Sequence, residues 1–149
     1  SQEPRALPGI SLLGEATINE SGLGAMDTNQ LEQALAGKST YVDFRFRDTH
    51  FNLFAETVSN EVELMFQLIY AHLVDPGFRD GALSLARERL RQEYQSYTRT
   101  IEGLMRIKGL QFLAGGDNRF GMPPLEHIKA LVLDHIRYWI KPHLDSAPM

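Results

Sequence analysis

The chain has 149 residues, 43% of them hydrophobic and 23% charged, with 15 basic and 19 acidic side chains and a formal net charge of −4. This is the composition of one globular domain with room for a core, neither disordered nor membrane-spanning. There is no basic stripe for nucleic acid and no run of ~20 apolar residues for a membrane span; without cysteine there are no disulfides or thiolate metal sites, and the redox compartment is left open.

The opening SQEPRALPG has neither structure signals nor a basic start leading into an apolar run, so it holds no signal peptide. Residues 1–9 and 145–149 read as flexible or boundary segments of a single domain, 1–149, cut from a longer chain. Ile10, Leu12, Leu13, Ala16 and Thr17 make a short helical face weakened by Gly14, and Ser21-Gly22-Leu23-Gly24 breaks it. Asp27 with Gln30 predicts a capping box ahead of Leu31, Ala34 and Leu35, with Gly37 as the helix end.

Tyr41 to Arg47 alternates, Val42, Phe44 and Phe46 on one side and Tyr41, Asp43, Arg45 and Arg47 on the other. A turn at Asp48-Thr49-His50 and renewed alternation from Phe51 to Val58 predict an antiparallel hairpin. A lone hairpin is marginal in water, so these strands are expected to belong to a wider sheet. Asn60 with Glu63 predicts a second capping box. Val62 to Val74 is apolar nearly all round, apart from Glu63, Gln67 and His72, and is expected in an interior covered on more than one side.

Asp75-Pro76-Gly77 ends that helix. A long amphipathic helix over 80–100 follows, with Leu83, Ala86, Leu90, Tyr94 and Tyr97 inward, then another over 101–113. The last helix carries Ile128, Leu131, Val132, Ile136 and Trp139 and is expected to end at Pro142. The fold class is α+β, an antiparallel hairpin packed against several helices.

Motifs for catalysis are absent: no zinc-peptidase motif, no nucleophile elbow, no Walker loop. Gly22-Leu23-Gly24 and Gly115-Gly116 read as helix-ending loops. His127 and His135 would lie ~80° apart on one helix, which does not make a zinc site. Glu61 and Glu63 would point ~200° apart, as caps rather than an acid–base pair. The mixed run Arg87 to Glu93 reads as a solvated face. No residue is assigned to catalysis or to a metal. The strand face of Tyr41, Arg45 and Arg47 is the candidate binding surface, since arginines and a tyrosine on an exposed strand can hold peptide backbone or carboxylates.

Several segments fall in a telling order. Leu31, Leu35, Gly37 and Lys38 precede the strand pair; a polar helix start leads into the run Glu63 to Tyr70. The Asp75-Pro76-Gly77-Phe78 break and an Arg/Glu-rich helix follow, then Asp117-Asn118-Arg119-Phe120, Pro124 and Trp139-Ile140-Lys141-Pro142. This set resembles the pitrilysin/insulinase-type zinc peptidases, the inverzincins. The resemblance implies a pitrilysin or mitochondrial-processing-peptidase-like unit, non-catalytic and from the C-terminal half, forming the wall of a peptide-binding chamber. It further implies zinc only in another unit, partners in the other units and in peptide or unfolded-protein substrate, and a bacterial periplasmic or cytoplasmic setting. Two rivals stand beside it: a scaffold or processing-partner unit of a catalytically inactive relative, and an unrelated helical interaction domain. Phe66→Ala is expected to cost ~3–5 kcal/mol if the Val62–Val74 helix is interior, as read by denaturant unfolding.

Overall fold

The computed structural model describes residues 3–47, 50–117 and 120–145. The first helix, α1 (Ile10–Asn19), buries Ile10, Leu13, Gly14, Thr17 and Ile18. The Glu3 carboxylate occupies its N-terminus, accepting from the backbone N–H of Gly9 at 2.7 Å and of Ser11 at 3.3 Å. Helix N-termini favour such a charge, because their first N–H groups have no partner within the helix. Gly14 is a site of close approach rather than a defect: a Cβ there would sit 3.1 Å from Ile140 Cδ1 and 3.6 Å from a Phe46 ring carbon.

Helix α2 (Thr28–Ala34) begins with the expected capping box; Asp27 accepts from the Gln30 N–H and the Gln30 side chain accepts from the Asp27 N–H, both at 2.9 Å. It ends before Gly37 and buries no residue. Strands β1 (Tyr41–Phe46) and β2 (Phe51–Glu56) form the predicted antiparallel hairpin, with Phe44 opposite Leu53 and Phe46 opposite Phe51. These are the two strands of the described residues. The intervening turn is closed by Arg47 and His50, while residues 48 and 49 lie outside the described set. Strands at Tyr41–Phe46 and Phe51–Glu56 remove the helical outcome that would have favoured an unrelated helical interaction domain.

The inner face of the hairpin is aromatic. Phe44 stacks on Phe51 at 5.4 Å, meets Phe46 edge-on at 5.1 Å, and Phe46 stacks on Trp139 at 4.7 Å. Fully buried Phe44 joins Ile10, Leu13 and Ile18 of α1 with Leu83, Ala86 and Leu90 of α4 (Asp80–Tyr97). Ile136, Ile140 and Leu144 of α8 (Leu133–Asp145) complete the same cluster.

Helix α3 (Val62–Val74) corrects three expectations. A 3₁₀ turn at Ser59–Glu61 leads into it, so Asn60 lies inside that turn and no side chain caps the helix. The Glu61 carboxylate instead accepts from the Ser39 N–H at 2.9 Å and the Thr40 hydroxyl at 2.8 Å. The helix is also not interior. Only Leu68 and His72 are buried, while Phe66 is 60% exposed, Tyr70 57% and Val74 55%. His72, read as a wet position, sits inside and donates from Nδ1 to the Leu68 carbonyl at 2.8 Å.

The Asp75-Pro76-Gly77 break ends α3 as predicted and docks on the loop after α1. Gly24 N–H donates to Asp75, Gly77 N–H donates to Gly22, and the Arg79 guanidinium bonds the carbonyls of Ser21 and Gly24. Helices α5 (Ile101–Leu104) and α6 (Leu110–Leu113) are joined by a π-helical segment at Met105–Gly109. Gly103 lets this run cross the end of α4, since a Cβ would lie 2.1 Å from the Tyr97 carbonyl oxygen.

The predicted last helix is two. Helix α7 (Leu125–Ala130) stops, Leu131 is extended, and α8 then runs through Pro142 instead of ending there. Leu131 is pulled into the core at 2% exposure while its carbonyl accepts from the Arg87 guanidinium. His135 then receives the Val132 N–H at 3.3 Å.

Truncating Phe44 to alanine should cost ~3–5 kcal/mol, as for large buried aromatics. The same change at Phe66 should cost less than ~1 kcal/mol, because that ring lies mostly in solvent. Equal losses in urea unfolding would show that α3 is covered after all.

Candidate functional site

The pleat of β1 places Tyr41, Asp43 and Arg45 on the outer face, and the register sets them opposite Glu56, Phe54 and Asn52. Arg45 Nε donates to Asp43 Oδ2 at 2.7 Å, and its guanidinium lies over the Phe54 ring at 4.7 Å. The Asp43 bond raises the Arg45 pKa further, and it uses only one of five N–H donors. Partial burial raises the Tyr41 phenol, and the Asp43 charge adds to this against the pull of Arg45.

The structure therefore brings together Tyr41 and Arg45, which the sequence nominated, with Asp43 and Phe54, which it did not. Arg47 lies apart, exposed beyond the end of β1 where its backbone closes the turn. The result is a half-apolar strip with an aromatic ring under a held guanidinium, able to stack on and hydrogen-bond an extended chain.

One edge of the hairpin is closed. The Asn19 carboxamide donates to the Phe44 carbonyl at 2.8 Å and accepts from the Phe44 N–H at 2.9 Å, while Glu15 accepts from the Phe46 N–H at 2.7 Å. These side chains stand where a neighbouring strand would bond. No sequence signal marks them, since they lie 25 and 31 residues from their partners.

A second open surface is apolar. Val62, Phe66, Tyr70 and Val74 recur every fourth residue along α3, all more than 40% exposed, and Ile101, Phe112 and Leu113 are more exposed still. The break at Leu131 brings His127 and His135 to one cleft of about 190 Å³, also lined by Arg5. The single-helix geometry predicted for this pair does not hold. Among the described residues no group of three or more carboxylate or imidazole side chains is placed to hold a metal ion. Among the same residues no helix is long and apolar enough to cross a membrane.

No family profile matches the chain, and no curated protein matches it. This corrects the expected membership of the pitrilysin/insulinase family: short segments in a shared order do not amount to a family match. A solved structure of the ferredoxin protease FusC in complex with Arabidopsis ferredoxin is similar, with a TM-score of 0.70 at 13% identity. The similarity covers 91% of this chain and 15% of that one, so this chain spans a small part of the protein it matches. At such identity the likeness is one of fold, an α+β hairpin-and-helix unit.

His72 provides a pH test. Burial lowers its pKa from the ordinary 6.5, against the Leu68 bond and the Asp43 charge, which raise it. The unfolded chain therefore takes up the proton first. The contribution of this group is complete above pH 6.5 and is lost as pH falls from there toward the lower folded value. His72→Gln should flatten the fall in melting midpoint as pH drops below 6.5. An unchanged slope by calorimetry would show that folding does not lower the His72 pKa.

Proposed function

We propose that this chain is a non-catalytic unit of a larger, protease-related protein, which binds extended polypeptide across the outer face of its hairpin. The observation that carries the reading is the pairing of a built strand face with large uncovered apolar helix surface. Monomeric proteins rarely leave such patches open, and patches of this kind mark protein–protein contacts. The strand face supplies what an extended chain needs: Phe54 and Tyr41 for apolar side chains, and Arg45, held by Asp43, for carbonyl or carboxylate oxygens.

The fold supports this setting, since the similar unit of FusC is 15% of a longer chain whose name is that of a protease and whose partner in that structure is a protein. In this reading Tyr41, Arg45 and Arg47 contact the polypeptide, the α3 stripe packs against neighbouring units, and peptide-bond chemistry, with any zinc it uses, belongs to another unit. A bacterial periplasmic or cytoplasmic location is part of the same proposal.

Fluorescence polarisation with labelled casein, an unfolded probe, tests it. Tyr41→Ala combined with Arg45→Ala should weaken binding about tenfold, or about 1.4 kcal/mol, with the urea midpoint unchanged. Undiminished casein binding by the double variant would remove the hairpin face from the reading.

A further inference from the structure

The two edges of the hairpin differ. Both backbone groups of Phe44 turn away from β2 to meet Asn19, so Phe44 and Leu53 form a non-hydrogen-bonded pair. By alternation the same holds for Val42 with Ala55 and for Phe46 with Phe51, and the Phe46–Glu15 bond agrees. The N–H and C=O groups of Leu53 and Ala55 therefore project from the far edge of β2. No described residue bonds them. Burial is lopsided in the same sense: Phe44 is fully buried, whereas Phe51, Leu53 and Ala55 on the same face of β2 are only half-buried.

We propose that the β2 edge takes an extended polypeptide strand from outside residues 1–149, hydrogen-bonded to Leu53 and Ala55, and that the sheet grows in this direction only. Backbone donors and acceptors repeating every second residue, ~6.8 Å apart, match an extended chain. The half-buried inner face of β2 asks for a strand with apolar residues at alternate positions, continuing the aromatic layer. A strand from beyond this sequence is favoured over a second copy because the similar unit is embedded in a much longer chain. The proposal extends the reading above, but its site is the edge and not the outer face.

The test uses the seven-residue peptide acetyl-Lys-Val-Thr-Val-Thr-Val-Lys-amide at about 5 mM, enough to fill most of a millimolar site, with hydrogen exchange followed residue by residue by NMR. The Leu53 and Ala55 amides should exchange about fivefold more slowly with the peptide, as filling most of a millimolar site allows, and those of Phe44 and Phe46 should not change. A peptide N-methylated at alternate residues should give no protection, a control that does not depend on any variant folding. Ala55→Pro, which removes an outward N–H and none of the β1 ladder, should abolish the effect. Absence of protection, protection at Phe44 instead, or protection that grows with protein concentration alone and accompanies a dimer in sedimentation, would each overturn the proposal. Casein binding sensitive to Tyr41 and Arg45 but without effect on these amides would leave the outer-face reading standing and remove this one.

Discussion

The grip of α1 on β1 organises this fold. One carboxamide, Asn19, satisfies both backbone groups of Phe44 while the Phe44 ring is fully buried among side chains of α1, α4 and α8. Strand backbone in a protein interior needs a partner for every N–H and C=O, and a two-stranded ladder satisfies only alternate residues on each side. The Asn19 and Glu15 side chains supply the missing bonds, which lets a hairpin too small to stand alone sit against a helical core. Gly14 permits the same contact from below, by letting α8 and Phe46 approach α1 within side-chain distance.

That arrangement also gives the molecule its polarity. On the β1 side the strand is sealed and the core complete; on the β2 side the inner residues are half-buried and the backbone lacks partners among the described residues. The exposed apolar stripe of α3 and the uncovered run from Ile101 to Leu113 leave further large side chains in solvent. These open apolar groups are the surfaces that neighbouring units would cover in the function proposed above. The outer strand face is of another kind: Arg45 is held in place by Asp43 and Phe54, as the proposed binding surface would require.

Much of this was legible in the residues. The hairpin followed from strict alternation, and the Asp27–Gln30 capping box and the Asp75-Pro76-Gly77 stop are local events set by neighbours in the chain. Tyr41 and Arg45 were placed on one face by the same period of two. The failures share a cause. Asn60 lost its capping role to a 3₁₀ turn, the last helix broke where Arg87 bonds the Leu131 carbonyl, and His72 turned inward. The Arg87–Leu131 bond joins segments distant in sequence, the turn before α3 sends Glu61 to Ser39 and Thr40, and the burial of His72 depends on what packs around it. The family resemblance failed similarly, since the order of elements is a property of the fold and is shared far more widely than sequence.

The sequence by itself determined the α+β class, the hairpin and the face that presents Tyr41, Asp43 and Arg45, because strand period, capping and proline stops act over a few residues. Only the tertiary structure decided which apolar surfaces are covered. The run from Val62 to Val74 has the composition of a buried helix, yet its burial depends on neighbours, and within this chain only Leu68 and His72 are enclosed. It also decided which sheet edge is closed, because Asn19 and Glu15 reach β1 through space, and no local pattern records that meeting.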